Sequence, residues 1–165
     1  MRPRLLAGDV KVGDRLPGLT VEVSATTVVL GALASRDWRP MHHDRDFAQV
    51  RNGIRDIFMN TPNQAAWFER YLTDWTGPHG RVGQMRFTMT GSVFPGDTMV
   101  LAGTVEEVGN DGAGCGWVTV RITLGVGGQE KTSCRARIAL PRTPEDNPWM
   151  RRGARWRPRP EAEEA

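Results

Sequence analysis

The chain has 165 residues, of which 39% are hydrophobic, and it carries a formal net charge of +3 at pH 7. This length suits a single domain with a hydrophobic core and a remaining tail. The small excess of positive charge collects in the late stretch RRGARWRPRP, which argues against a nucleic-acid-binding protein. No stretch is long and apolar enough to span a bilayer, and the first residues lack the apolar run of a signal peptide. We therefore expect a soluble, cytoplasmic protein with no membrane partner.

The first half of the chain predicts one strand and two helices. The alternating segment GLTVEVSA predicts a strand, and TTVVLGALASRD predicts a helix with Thr26 as a candidate N-cap. After a loop, TPNQAAWFERYLTDW predicts a second helix, with Thr61 as its N-cap and Pro62 at its first position. Polar residues are sparse in this segment, so we expect the second helix to be buried.

The second half of the chain predicts an antiparallel sheet. Four long alternating runs follow one another, namely RVGQMRFTMTGSV, DTMVLAGTVEEV, GWVTVRITLGV and EKTSCRARIAL. The short breaks between them indicate hairpins. A sheet of this kind must wrap around the apolar helix to bury it, which predicts an α+β fold with hot-dog architecture. We expect this domain to span residues 1–140, with its open sheet edge favouring dimerisation. The Pro-, Arg- and Glu-rich residues 141–165 predict a mostly disordered tail.

The stretch SRDWRPMHHDRD, which runs from Ser35 to Asp46, concentrates the residues that could carry chemistry. Asp37 and His42 are the candidates for a catalytic acid–base pair. The alternative is structural, because an aspartate after a helix often accepts hydrogen bonds within a turn. A metal site is not expected, because adjacent histidines point in different directions and no third ligand cluster appears. Cys115 and Cys134 lack metal-ligand spacing and predict free thiols.

Within this stretch, RDWRPMH resembles the hydratase motif Gly-Asp-x-Asn-Pro-aliphatic-His of the MaoC-like enoyl-CoA hydratases. Asp37, Pro40 and His42 fall on its Asp, Pro and His at the same spacing. VFPGDT resembles a turn between two strands of that family, and the resemblance extends over roughly residues 11–140. RDWRPMHHDRD, DIFMN and ERYLTDWTGP are similar to the small MaoC subunit of the heteromeric hydratases of bacterial sterol side-chain breakdown.

This resemblance implies hydration of an α,β-unsaturated acyl-CoA, with a steroid side chain as the acyl group. Asp37 and His42 would hold and activate water, and the helix N-terminus at Asn60 and Thr61 would bind the thioester oxygen. A second MaoC-like chain, which can carry an OB-fold/zinc-ribbon domain, would complete a heterodimer or heterotetramer. No cofactor is implied, since CoA is part of the substrate.

The chain departs from the family motif in several positions. Arg36 and Arg39 replace the Gly and Asn of the motif, and Met59-Asn60 replaces a His-Gly pair before the central helix. Two alternatives therefore stay open, a non-catalytic hot-dog subunit and an acyl-CoA thioesterase. A thioesterase acid usually lies on the central helix, where this chain has only Glu69 and Asp74, both far past its N-terminus.

Overall fold

The structure is a computed structural model that describes residues 5–158. Its regular elements are β1 (Leu19–Glu22), α1 (Ala25–Ala34), α2 (Thr61–Thr76), β2 (Arg81–Met89), β3 (Thr98–Asn110), β4 (Gly116–Val126) and β5 (Gln129–Leu140). Short helical turns lie at Ala7–Asp9, Pro40–His42, Phe47–Arg51, Pro148–Met150 and Gly153–Arg155. No helix in this range has the length and apolar character needed to cross a membrane.

The five strands form one antiparallel sheet in the order β1-β3-β4-β5-β2. Hairpins join β3 to β4 and β4 to β5, as the short breaks in the sequence predicted. Helix α2 buries Phe68, Tyr71 and Leu72 in the same core as the inward side chains of the sheet. That sheet face includes Met99, Leu101, Val105, Val118, Val120, Ile122, Leu124, Cys134, Ala136 and Ile138. The predicted antiparallel sheet packed around one helix is confirmed. The helix is buried on one face only, because Glu69, Arg70 and Asp74 on its other face are exposed.

Helices α1 and α2 approach each other closely at Gly31. A Cβ atom at this position would lie 2.0 Å from Nδ2 of Asn63 and 2.8 Å from its Cβ. The same Nδ2 donates a hydrogen bond of 3.0 Å to the carbonyl oxygen of Thr27 in α1. The close packing places the end of α1 beside the start of α2. Ser24, and not the expected Thr26, is the N-cap of α1, because the helix already begins at Ala25.

Residues 141–158 correct the prediction of a mostly disordered tail. The Trp156 ring lies 5.0 Å from the ring of Trp117, and the Arg81 guanidinium lies 3.6 Å above Trp156. The Arg151 side chain is buried and donates to Asp146 and to backbone oxygens of the β3–β4 turn. The composition argument overlooked these aromatic and cationic anchors, which hold the segment on the outer face of the sheet. Residues 159–165 of the predicted tail lie outside the described residues.

Candidate active site

The turn that follows α1 positions Asp37. Oγ of Ser35 donates to the carbonyl oxygens of Gly31 and Ala32, which closes the end of the helix. Arg36 then adopts a φ of 54°, in the left-handed region that favours glycine. This turn lets the backbone N–H of Asp37 donate back to the carbonyl oxygen of Ala32 at 2.9 Å. Arg36 thus occupies a conformation that glycine, the residue of the family motif, adopts without steric cost.

His42 is 3% exposed and ends the short helical turn Pro40–His42. Its Nδ1 lies 2.8 Å from the carbonyl oxygen of Phe58, and the two rings meet edge to face at 4.7 Å. A carbonyl oxygen only accepts hydrogen bonds, so Nδ1 carries the proton. In the neutral imidazole Nε2 is then a hydrogen-bond acceptor.

Asp37 and His42 face each other through their acceptor atoms. Nε2 of His42 lies 3.5 Å from Oδ2 of Asp37, whose side chain is 17% exposed. Two acceptors cannot bond directly, but a water molecule can donate one hydrogen atom to each of them. The pair is therefore suited to binding and orienting a water molecule.

Asn60 is the N-cap of α2, so the prediction that Thr61 would cap this helix is wrong. Asparagine caps helices better than threonine does, and Oδ1 of Asn60 accepts from the backbone N–H of Asn63 at 3.1 Å. Thr61 is the first helical residue, and its hydroxyl faces Sδ of Met89 at 3.4 Å. The backbone N–H of Asn60 has no acceptor within residues 5–158, and it lies at the positive end of the α2 dipole.

The pKa of Asp37 is lowered from its ordinary value. The main cause is the hydrogen bond that Nδ2 of Asn60 donates to Oδ2 at 3.0 Å. Burial acts in the opposite direction, but the backbone N–H of Arg39, at 3.3 Å from Oδ1, and the positive charge of the Arg39 side chain also lower the pKa. Asp37 is thus held as a carboxylate, the form that can accept a proton.

A second turn supports the segment that precedes α2. This turn, VFPGDT, begins with Val93, whose carbonyl oxygen accepts from the backbone N–H of Met59 at 2.9 Å. Asp97 closes the turn by accepting from the backbone N–H of Phe94 and pairs with Arg55 at 2.6 Å. The Phe94 ring lies 6.3 Å from that of Phe58, the residue that orients His42. The VFPGDT turn therefore packs against the segment that orients His42.

The structure brings three of the four predicted site residues together through their side chains: Asp37, His42 and Asn60. Thr61 is adjacent through its backbone only. Sequence reasoning missed the side-chain bond from Asn60 to Asp37. It also overlooked Asn60 as the N-cap, for which the strong N-cap preference of asparagine was a signal. Within the described part of the chain, no three His, Cys, Asp or Glu side chains gather as metal ligands do.

Known structures define the class to which this fold belongs. One chain of the ChsH1–ChsH2 complex from Mycobacterium tuberculosis superposes with a TM-score of 0.72 and 30% identity, covering 79% of this chain and 98% of that one. The (R)-hydratase from A. caviae involved in PHA biosynthesis shares the fold with a TM-score of 0.71 at 22% identity, over 80% of this chain and 98% of that one. The architecture is therefore the hot-dog fold of MaoC-like hydratases.

Sequence comparison identifies the family. The chain is 39% identical over 114 residues to the 3-oxo-4,17-pregnadiene-20-carboxyl-CoA hydratase beta subunit of Mycobacterium tuberculosis, a match that covers 69% of this chain and 87% of that protein. No model of a protein family matches the chain. The chain belongs to the MaoC-like enoyl-CoA hydratases, as its RDWRPMH motif indicated.

Proposed function

We propose that this chain is the catalytic subunit of a heteromeric hydratase that adds water to a steroid side-chain enoyl-CoA. The observation that carries this proposal is the facing pair of acceptors, Oδ2 of Asp37 and Nε2 of His42, at 3.5 Å. The N-terminus of α2 lies beside this pair, since Asn60 bonds directly to Asp37. A water-orienting pair next to a helix N-terminus is what hydration of an enoyl thioester requires.

The pair supplies the proton transfers of the reaction. Water donates one hydrogen atom to the Asp37 carboxylate and one to Nε2 of His42, which aims a lone pair of its oxygen at the β-carbon of the substrate. As the new C–O bond forms, the pair accepts a proton from the water, and the pair then delivers a proton to the α-carbon. The enzyme returns to its starting protonation state, and the product is the β-hydroxyacyl-CoA.

The start of α2 supplies the electrostatic stabilisation. Negative charge develops on the thioester oxygen when water adds to the β-carbon. The backbone N–H of Asn60, at the positive end of α2, is a preorganised donor for that oxygen. Thr61 contributes to the same helix N-terminus through its backbone. No cofactor is needed for this chemistry, and CoA is bound as part of the substrate.

The steroid acyl group and the second chain are proposed from the similarity to the pregnadiene-carboxyl-CoA hydratase beta subunit and to a chain of a two-component complex. The apolar side chain of Trp38, which follows Asp37 in the chain, fits this proposal because it is 65% exposed. An apolar acyl group and a second MaoC-like chain would remove such surface from water. We propose that this second chain can carry an OB-fold/zinc-ribbon domain, and that the assembly is a heterodimer or heterotetramer.

The two rival functions receive less support from the geometry. Glu69 and Asp74, the only acids of α2, are exposed, and Asp74 pairs with Arg70 at 3.4 Å far from the helix N-terminus. That arrangement does not favour a thioesterase. A non-catalytic subunit would have no need of a His42 ring that is oriented by the backbone and faces an ionised Asp37.

Hydration assays with the purified chain test the proposal. A steroid side-chain enoyl-CoA and crotonyl-CoA are each incubated with the chain, with and without a MaoC-like partner from the same source, and loss of the conjugated thioester absorbance is followed. We expect turnover of the steroid substrate in the presence of the partner. Release of free CoA thiol would indicate a thioesterase instead. No turnover in any combination would favour the non-catalytic subunit.

A further inference from the structure

We propose that the side chain of Asn60 is a positioning residue that holds Asp37 ionised and aimed, and at the same time fixes the end of α2 that faces the substrate. This inference rests on the proposed hydratase function. It assigns the Asn60 side chain a role separate from that of its backbone N–H. The amide would link the water-activating carboxylate to the helix that stabilises the thioester oxygen.

The hydrogen bonds of Asn60 use its whole amide group. Oδ1 accepts from the backbone N–H of Asn63 at 3.1 Å, and Nδ2 donates to Oγ of Ser35 at 2.8 Å and to Oδ2 of Asp37 at 3.0 Å. The residue is only 2% exposed, so water does not compete for these bonds. The reversed amide orientation would place Oδ1 against the carboxylate and Nδ2 against the N–H of Asn63, both repulsive contacts. The orientation is therefore unique.

The two acceptors of Nδ2 both belong to the segment that leaves α1. Ser35 is the C-cap of α1 and is itself fixed by donating to Gly31 and Ala32. Asp37 is fixed by its backbone bond to Ala32. Asn60 thus joins the end of α1 to the start of α2 by side-chain bonds. A shift of α2 relative to Asp37 would break these bonds.

Few other side chains could perform both tasks. Serine and aspartate are good N-caps, but an aspartate lacks the donor that faces Asp37 and adds a like charge next to it. Serine keeps the capping oxygen but is too short to cap the helix and donate to Asp37 together. Glycine, the residue of the family motif here, would leave the carboxylate without this donor. The replacement of the His-Gly pair of the family by Met59-Asn60 therefore adds a hydrogen-bond donor to the carboxylate of the proposed catalytic pair.

The test compares Asn60→Ser and Asn60→Asp with the wild-type chain. Titration of the Asp37 carboxyl is followed by carbon-13 NMR, with Asp37→Asn used to assign its signal. We expect wild-type Asp37 to titrate below the ordinary range of an aspartate. In Asn60→Ser its titration should move upward by about one pH unit or more, because a bond to the charged form is lost. Asn60→Asp should shift it further.

The same variants are assayed in hydration together with the partner chain. We expect kcat to fall about tenfold to a hundredfold at neutral pH, with a much smaller change in KM, because the base is misplaced and not the substrate. Ser35→Ala is the matched comparison, since it removes the other acceptor of Nδ2 and leaves the bond to Asp37. It should change the Asp37 titration much less than Asn60→Ser does.

The result that would overturn the proposal is an Asp37 titration that is the same in wild type, Asn60→Ser and Asn60→Asp. Equal loss of thermal stability in Asn60→Ser and Ser35→Ala without a titration shift would show a purely structural role. If Asn60→Ser does not fold, the Asp37 titration in Asn60→Asp serves as the test, because aspartate preserves both the size of the side chain and its capping bond to the N–H of Asn63. The titration needs no substrate, so absence of hydration in the wild type would contradict the proposed function alone.

Discussion

Nδ1 of His42 lies 2.8 Å from the carbonyl oxygen of Phe58, two residues before the N-cap of α2. The bond comes from the backbone, so it orients the imidazole whatever side chain stands at position 58. It assigns the proton to Nδ1 and leaves Nε2 to face Asp37. The segment that leads into α2 therefore also sets the tautomer of the proposed catalytic histidine.

Replacement of His42 by alanine is expected to abolish most of the hydration rate. The variant loses the acceptor that orients water and shares its proton, so kcat should fall by about two to four orders of magnitude. The rate is measured as loss of the conjugated thioester absorbance with the partner chain present.

His43→Ala is the matched control for this experiment, because His43 is the adjacent histidine and is exposed. It should keep a rate close to that of the wild type. Equal losses in the two variants would show that the orientation of His42 is irrelevant to the rate.

Replacement of Asp37 by asparagine removes the proposed base with little change in volume. We expect kcat to fall by about two orders of magnitude or more in the same assay. Asp46→Asn makes the same chemical change on an exposed residue whose side chain makes no capping bond, and it should be active. A fully active Asp37→Asn would rule out the proposed role of this carboxylate.

Asp37 should also make the stability of the protein depend on pH. Its pKa is lowered in the folded state, chiefly by Asn60, so it stabilises the fold above its ordinary value of 3.8, and this contribution disappears as the pH falls below that value. Urea denaturation of wild type and Asp37→Asn measures the difference in the free energy of unfolding. The advantage of the wild type should be full at neutral pH and shrink in acid.

Asp111 also makes the free energy of unfolding depend on pH, in the wild type and in Asp37→Asn alike. Burial raises its pKa, but hydrogen bonds from the Trp117 indole and from the backbone N–H groups of Cys115 and Ala113 outweigh this effect and lower it. Asp111 therefore also destabilises the fold as it is protonated. It is present in both proteins, so it cancels in the difference. A difference that is independent of pH would contradict the assignment to Asp37.

The accuracy of sequence reasoning differed between parts of this chain for physical reasons. The sheet was predictable, because strict alternation and short turns leave few other arrangements. That Asp37 and His42 lie close together could be predicted because their spacing is local, within one loop. The bond from Asn60 to Asp37 spans 23 positions and depends on how α1 packs against α2, which no local pattern encodes. Trp156 was missed for a similar reason, since its partners Trp117 and Arg81 lie on distant strands.

The packing of α1 against α2 can be tested at Gly31. In Gly31→Ala the new Cβ would lie within 2.8 Å of three side-chain atoms of Asn63, including its Cβ, so the helices must separate. Alanine favours a helix by about 1 kcal/mol, but overpacking costs about 1–3 kcal/mol, and we expect a net loss of stability. Because the separation would move Asn60 from Asp37, kcat should fall as well.

Gly109→Ala is the control for that change, because a Cβ at Gly109 would meet no atom within 4 Å. Its melting temperature and hydration rate should stay close to those of the wild type. A Gly31→Ala protein of unchanged stability would show that the two helices have room to adjust.

The C-terminal segment is tested by Trp156→Ala. This change removes an aromatic pair with Trp117, worth about 0.5–1.5 kcal/mol, and a cation–π contact with Arg81, worth about 0.5–2 kcal/mol. We expect the free energy of unfolding to fall by about 1–3 kcal/mol, measured by chemical denaturation followed by circular dichroism. Trp38→Ala removes a tryptophan that is 65% exposed and should leave the stability nearly unchanged. Equal stability of the two variants would mean that the contacts of Trp156 with Trp117 and Arg81 add nothing to the stability of the fold.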